Sequence, residues 1–449
     1  MAESARVQRM EIPALADDER LSEWIAEQRW YASKSRSISS AGVVESIVLR
    51  EEPPLVLALV QTRFATGTHE LYQLLATETE PDALGDGRAP FELVRRIAEG
   101  EEIDTEEGHF SFQAVDGFEP LDPATPVRLM GVEQSNSSLV FDERLVLKVF
   151  RKLEPGINPE LEILRFLTLH GFPSIAPLEG FYSYDGQALM ATLGVAQTFI
   201  PEAVDGWELA LEEIVSSPER FLERLGELGR VTAEMHTVLA SDASDPAFAP
   251  EEPSNEAMAL LTATVDEDIE RMFLRLPDID ALAPIAGRRQ DVREHLSTRA
   301  QAGVAGRVIR THGDYHLGQT LSTPRGWVII DFEGEPARPL PERRQKRSPL
   351  RDVASMLRSF AYVASAVAIQ RGQAAPEDFE QRAREQFLSR YFDHVDPTLL
   401  PTGEAQVANL LSVFELEKAV YELRYELDNR PDWVAIPVAG IRRLLEERS

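Results

Sequence analysis

Between residues 311 and 335 the chain gathers side chains whose types and spacing suit group transfer. They run Thr311-His312-Gly313-Asp314-Tyr315-His316-Leu317-Gly318-Gln319 and, after a strand-like stretch, Val328-Ile329-Ile330-Asp331-Phe332-Glu333-Gly334-Glu335. Phosphoryl transfer to a hydroxyl needs a carboxylate beside the acceptor. It also needs an amide oxygen and a second carboxylate to hold Mg²⁺ against the phosphates of ATP. Asp314 and Gln319 stand five residues apart, and Asp331 opens an Asp-Phe-Glu-Gly run, in the order and spacing that this chemistry uses. Asp314 is therefore the expected base, and Gln319 and Asp331 the expected metal ligands. Glutamine in place of asparagine lengthens the reach by one methylene and keeps the oxygen donor. Either motif alone reads equally well as a turn residue or a strand cap; the ordered pair favours chemistry.

His312 and His316 lie at i and i+4, a spacing that puts two imidazoles on one helical face and raises a zinc-hydrolase alternative. The stretch lacks the glutamate of an H-E-x-x-H helix, and Gly313 and Gly318 argue for a loop, so orienting or packing roles are expected. Upstream, the small polar turn with Ser135, Asn136 and Ser137 could offer backbone N–H groups to phosphate oxygens. On its own such a turn is more often a plain hairpin. It precedes Leu145-Val146-Leu147-Lys148-Val149-Phe150, where a lysine inside an apolar strand is costly unless its ammonium meets an anion. Lys148 is expected at the α/β-phosphates with Glu162 as its partner. The connector with Gln197, Phe199 and Ile200 suits an adenine ring about as well as it suits a linker. Near the C-terminus Lys418, Tyr421, Glu422 and Tyr425 recur at helical spacing. Aromatic planes among charged groups are what a sugar needs, although an exposed charged helix would look the same.

The composition narrows the field. Across 449 residues there is no cysteine, which removes disulfides, thiolate nucleophiles and thiolate-bound metals. Forty-six Lys+Arg against 76 Asp+Glu give a net charge of −30, a field that repels nucleic acid and anionic lipid. No uninterrupted apolar stretch approaches the roughly 20 residues of a membrane span. The opening MAESARVQRMEIPALADDER lacks the apolar core of a secretory signal. A cytoplasmic protein is expected.

The elements that must position these residues divide into three. LSEWIAEQRW reads as a helix, followed by strands VVESIVL, LVLALVQTRF and HELYQLLAT. Acidic, Gly-containing segments mark a boundary near residues 85–108. Strand-like VRLMGVEQ, SSLVFD, RLVLKVF, GFYSYDG and ALMATLGVAQTFI enclose one helix, PELEILRFLTLHG. From DGWELAL onward the periodicity is helical, interrupted at RVIRTHGDYH and GWVIIDFEGE. The expected organisation is a helix-plus-meander cap over residues 1–100, a β-rich nucleotide-side subdomain over 101–203 and a helical lobe over 204–449, an α+β chain.

HGDYHLGQTL, IDFEGEPARPLPERR and SPLRDVASMLRSFAY closely resemble the maltokinases of actinobacteria and their relatives, within the aminoglycoside-phosphotransferase-like branch of the protein-kinase-like fold. Gln28-Arg29-Trp30-Tyr31, VEQSNSSLVF, LKVFRKLEPGINPELEI and EKAVYELRYELDNRPDW extend the likeness along the whole chain. The resemblance implies a bilobal fold with an N-terminal cap and transfer from ATP to the anomeric oxygen of maltose. It also implies a product feeding α-glucan or glycogen synthesis, often beside trehalose synthase. By position it makes Asp314 the base, Gln319 and Asp331 the metal ligands, and Lys148 and Glu162 the phosphate-side pair. It makes Glu333 a neighbour of metal or sugar, and groups His316 with Lys418, Tyr421, Glu422 and Tyr425 on the acceptor side. Tyr315 and Ser33 depart from the family pattern without touching the chemistry. Other readings are kinases of glucosamine or aminoglycosides, a His-metal hydrolase, and a non-catalytic partner of a glucan enzyme.

Overall fold

The computed structural model describes residues 12–130, 136–300 and 306–446, which form two compact units. One comprises residues 1–168, 176–201 and 339–341; the other comprises residues 169–175, 202–338 and 342–449. Strands concentrate in the first and helices in the second, the α+β division expected from the periodicity.

The first unit opens with α1 (Asp18–Glu27), capped by the Asp17 side chain accepting from the Glu19 and Arg20 amides. The meander β1 (Ile38–Arg50), β2 (Leu55–Phe64) and β3 (His69–Thr77) follows. Leu55, Leu57 and Leu59 of β2 enter one apolar core and Val56, Ala58 and Val60 another. The continuous apolar run is therefore a strand covered on both faces. Next come α2 (Phe91–Glu99), β4 (Glu102–Asp104), β5 (Gly108–Ala114), β6 (Val127–Leu129), β7 (Asn136–Phe141), β8 (Leu145–Phe150), β9 (Lys152–Leu153), α3 (Pro159–Leu169), β10 (Leu178–Gly186) and β11 (Met190–Thr198). They build an antiparallel sheet of order β4-β5-β10-β11-β8-β7-β6, while β9 joins the meander as β1-β2-β3-β9. The chain steps between the sheets at Arg151, where buried Gln73 of β3 donates to the Phe150 carbonyl at 2.6 Å and accepts from Tyr182 at 3.0 Å.

The stretch read as a boundary near residues 85–108 holds α2 and the start of the β4–β5 hairpin. Gly100, at φ +63°, is the left-handed cap of α2. The acidic residues after it lie on the outer side of a hairpin whose Ile103, Phe110 and Phe112 join the same core as Leu57 and Leu147. That core is continuous across residue 100.

The second unit contains β12 (Val204–Asp205), α4 (Gly206–Ser216), α5 (Pro218–Leu239), α6 (Asn255–Phe273), α7 (Arg289–Ala300), β13 (Thr320–Thr323), β14 (Gly326–Ile329), the last two residues of α8 (Leu340–Arg343), α9 (Leu350–Arg371), α10 (Phe379–His394), α11 (Glu404–Asn429) and α12 (Ala435–Glu446). RVIRTHGDYH forms only isolated bridges, Val308 to Glu251 and Ile309 to Arg347, before it becomes loop. By length and composition α9 could cross a membrane. It is instead a core helix, with 67% of its apolar window covered and Asp352 and Arg358 buried among its apolar residues.

Arginines clamp the helices. Arg384 of α10 holds Glu415 of α11 with two bonds of 2.8 Å, and Arg443 of α12 reaches the same carboxylate at 2.5 Å. Burial opposes ionisation of Glu415, but the two guanidiniums prevail and bring its pKa from 4.5 to about 2. Because the folded value lies below the unfolded one, this stabilisation is complete above about pH 4.5 and is lost as pH falls toward 2. It amounts to about 3 kcal/mol. Glu415→Gln should lower the thermal midpoint at pH 6 and should close much of its gap to wild type by pH 3. A gap that stays constant with pH would contradict the assignment.

Helices α5 and α10 approach closely at Gly229, where an added Cβ would lie 2.2 Å from the Phe387 carbonyl oxygen. At Gly226 it would meet Arg390 Cγ at 3.4 Å. In urea unfolding Gly229→Ala should cost ~1–3 kcal/mol, whereas Gly226→Ala should be neutral or gain up to about 1 kcal/mol of helix propensity.

Candidate active site

The loop with Asp314 is held from beneath by a buried carboxylate. Asp352, in the first turn of α9, accepts from the His312 amide at 2.8 Å and the Gly313 amide at 3.0 Å. It also contacts His236 Nε2 of α5 at 3.1 Å, and the other ring nitrogen of His236 meets Tyr391 at 2.9 Å. Burial opposes ionisation, yet the His236 hydrogen bond and charge and the Gly313 amide hold the Asp352 carboxyl below its ordinary value. Gly313, at φ +86°, turns two consecutive amides toward one acceptor.

The same loop fastens to the strand that carries Asp331. His312 Nε2 donates to the Ile330 carbonyl at 3.0 Å, and its Nδ1 accepts from the Asp314 amide at 3.4 Å. His316 Nδ1 accepts from the Gly318 amide at 3.1 Å and caps the short turn Leu317–Gln319. With both His312 nitrogens engaged by backbone, and His316 Nδ1 engaged by the Gly318 amide, the histidines orient the loop. The zinc-hydrolase alternative is not supported.

Gln319 and Asp331 lie side by side. The Ile330 amide donates to the Gln319 carbonyl at 3.1 Å, and Gln319 Nε2 donates to Asp331 Oδ2 at 3.0 Å. Asp331 has φ +64°, a left-handed backbone that a non-glycine residue adopts at a cost. Glu333 presents a carboxylate oxygen within 4.8 Å of one of Asp331. An amide oxygen and two carboxylates are hard donors of the kind Mg²⁺ takes, so these residues fit the expected metal.

Lys418 of α11 points at the other side of the loop, with Nζ 3.5 Å from Asp314 Oδ1. Burial works against its charge, but Asp314, Glu422, Glu335 and Tyr421 together hold its pKa above the usual lysine value. Tyr421, hydrogen-bonded to Glu335, lies 5.1 Å from the ammonium. Beyond it opens a groove of about 510 Å³ walled by α6 and α11, with Met272, Arg275, Glu417, Tyr421 and Arg424 in its lining.

In the first unit, Lys148 on β8 places Nζ 3.6 Å from Glu160 Oε2, and Gln197 Nε2 donates to the same carboxylate at 3.0 Å.

Residues 127–388, more than half of the chain, match the phosphotransferase enzyme family. The chain belongs to that family. Residues 24–102 match the maltokinase N-terminal cap domain. A glucosamine kinase of Mycolicibacterium smegmatis is 29% identical over 335 residues, covering 71% of this chain and 80% of that protein. One of Streptacidiphilus jiangxiensis is 26% identical over 379 residues, covering 81% and 82%. A glucosamine kinase solved with glucosamine, ADP and inorganic phosphate superposes with a TM-score of 0.72 at 20% identity, over 94% of this chain and 99% of that one. A second crystal form gives 0.73 at 21%, over 95% and 99%. The aminoglycoside-phosphotransferase-like fold expected from the sequence is the fold observed.

Within this phosphotransferase the structure rearranges several expected roles. The carboxylate beside Lys148 is Glu160 rather than Glu162, because the first turn of α3 aims position 160 at the sheet and position 162 lies some 200° further round the helix. Ser137 Oγ is held by Arg151 at 2.7 Å, Asn136 is buried on β7, and Ser135 lies outside the described residues. Phe199 and Ile200 are half-buried after β11, with the Phe199 amide donating to the Arg144 carbonyl. On α11, Glu422 turns inward to buried Arg358, at 3.0 and 2.8 Å. Tyr425 is 44% exposed and stacks with Arg430. Of that quartet, Lys418 and Tyr421 line the cavity beside the loop. Asp352, His236 and Glu160 were not singled out from sequence. A clue lay in SPLRDVASMLRSFAY, where an aspartate interrupts an apolar helix.

Removing the Asp352 carboxylate strands two amides and a buried histidine. Asp352→Ala should cost ~3–5 kcal/mol of stability. Asp352→Asn, which keeps one acceptor oxygen, should stay folded by circular dichroism yet lose ~10-fold or more in kcat as Asp314 loses its fixed position.

Proposed function

We propose that this phosphotransferase is a cytoplasmic sugar kinase that moves the γ-phosphoryl group of ATP to the anomeric hydroxyl of maltose. The observation that carries the reaction type is the arrangement around one loop: Asp314 against Lys418 at 3.5 Å and Gln319 against Asp331 at 3.0 Å. Asp314 accepts the acceptor's proton as the new P–O bond forms, and Lys418 fixes the carboxylate's rotation. Gln319 and Asp331, with Glu333 beside them, would hold Mg²⁺. That ion supplies neutralisation of the charge on the β- and γ-phosphate oxygens. On the nucleotide side Lys148 and Glu160 would form the phosphate-binding pair, with the connector after Gln197 beside the base. Most of the rate then derives from positioning and charge stabilisation.

For the acceptor, the relatives named glucosamine kinase favour an amino sugar, while the maltokinase-type cap favours maltose. The groove supports maltose on size. At about 510 Å³ it exceeds what one pyranose needs, and the aromatic face of Tyr421 stands where a ring's C–H face can stack. The product's entry into α-glucan synthesis, with trehalose synthase as a neighbouring enzyme, belongs to the same reading.

Asp314→Asn should lower kcat by ~10²–10⁴-fold with ATP affinity nearly unchanged; normal turnover in that variant would remove the base assignment. Asp331→Asn should abolish Mg²⁺-dependent turnover. With labelled ATP and a panel of maltose, glucose, glucosamine and kanamycin, kcat/KM should be highest for maltose. Glucosamine ahead of maltose would replace the acceptor while leaving the reaction intact.

A further inference from the structure

The proposed acceptor groove shares part of its lining with a smaller cavity of different character. It holds about 70 Å³, and its lining carries four arginines, Arg338, Arg347 and Arg351 among them, and Lys418 against four carboxylates. Where one ordered water needs roughly 10–15 Å³, that is room for about five or six atoms: one tetrahedral oxyanion fits and a pyranose ring does not. The arginines are not equally neutralised. Arg338 bonds Glu335 at 2.7 Å, and Arg351 bonds Glu417. The Arg347 guanidinium donates to the neutral amide of Gln345 at 3.2 Å. Burial, then the charges of Arg351 and Arg338, push the Arg347 guanidinium down to about 10, with Glu417 and Glu342 offsetting only part of this. Its place is fixed by backbone, since residues 309 and 347 exchange N–H···O bonds of 2.9 and 2.8 Å. A side-chain substitution therefore leaves that bridge intact.

The cavity and the groove share Glu335, Arg338, Glu417 and Tyr421, which sets them side by side. We propose that Arg347, flanked by Arg338 and Arg351, forms an anion subsite that takes the phosphate of a sugar phosphate whose ring lies in the adjoining groove. Guanidinium forks match phosphate oxygens, and a dianion there relieves the mutual repulsion of the three cations. The proposal rests on the groove being the sugar site. The phosphate has two possible sources, the enzyme's own product or a sugar phosphorylated elsewhere.

Titration calorimetry on the full chain without nucleotide separates this proposal from the catalytic reading. Its ligands are maltose 1-phosphate, glucose 6-phosphate, inorganic phosphate and maltose. One sugar phosphate should bind at least ~10-fold more tightly than inorganic phosphate or maltose; maltose 1-phosphate in that place marks the product as the source, glucose 6-phosphate an outside sugar. Arg347→Gln should lose ~10–100-fold of that affinity while maltose affinity and kcat stay as in wild type, and Arg347→Lys should recover part of it. Equal sugar-phosphate affinity in wild type and Arg347→Gln would overturn the subsite. So would inorganic phosphate binding as tightly as both sugar phosphates. If the acceptor panel rejects maltose but the Arg347 effect persists, the subsite stands and only the acceptor reading falls.

Discussion

One buried carboxylate organises the second unit. Asp352 sits where a lone charge would be prohibitive, and it is stable there because two loop amides and His236 converge on it. Three consequences follow along the chain. The amides belong to residues 312 and 313, so the residue after them, Asp314, leaves the clamp in one fixed direction. Glycine is required at 313, where φ is +86° and a Cβ would press within 3.2 Å of Gly334. The His312 ring, its amide anchored, ties the loop to Ile330 one residue before Asp331. The candidate base and the candidate metal ligand are thus registered by a group that need not touch substrate.

The unit treats its carboxylates in two opposed ways. Asp352, Glu415 and Glu422 are buried and held by strong donors, and arginine forks supply the partners of the last two. Such pairs add geometric specificity because the fork is planar and rigid. Among the described residues the Asp314 carboxylate has one hydrogen-bond partner, Lys418 at 3.5 Å, and it remains partly open. A flexible point charge fixes its orientation without filling its lone pairs, which suits a group that must accept a proton. The chain has five lysines, and two of them stand at carboxylates, Lys148 at Glu160 in the first unit and Lys418 at Asp314 in the second.

What could be read from the sequence was what is local in it. Asp314, Gln319 and Asp331 fall within eighteen consecutive residues, and the β13–β14 hairpin returns the chain so that Gln319 and Asp331 meet, so order and spacing sufficed. Strands β1 to β3, β7, β8, β10 and β11 announced themselves by apolar runs. What escaped depended on phase or distance. Glu160 and Glu162 are indistinguishable by composition, and only the docking of α3 selects between them. On α11 the sequence showed one polar-aromatic stripe, but the ridge facing open space runs Phe414, Glu417, Tyr421, Arg424 and Asp428. Glu422 was therefore assigned to sugar when its partner is Arg358, across from Gly440, whose missing side chain makes room for the guanidinium. The β4–β5 hairpin hid because acidic residues on its wet face outnumber the three apolar ones that bury. Asp352 and His236 are 116 residues apart, a pairing that no local pattern reports.

A net charge of −30 and a site for anionic phosphates look incompatible until range is considered. At physiological salt a surface charge is screened beyond about 8 Å, so most of the acidic surface acts on approach and little on a ligand already in contact. Inside the acceptor-side cavity four arginines and Lys418 stand against four carboxylates, and Arg338 and Arg351 are matched by Glu335 and Glu417, which leaves Arg347, bonded to a neutral amide, to act at short range through lower dielectric. The long-range field then discriminates by total charge: extended polyanions, which must lie against many acidic groups at once, are repelled throughout their length. A compact sugar phosphate meets that repulsion once and is met at short range by arginines. An acidic surface and a cavity with one guanidinium unmatched by a carboxylate would therefore favour the same property, one small concentrated anion on an otherwise neutral molecule.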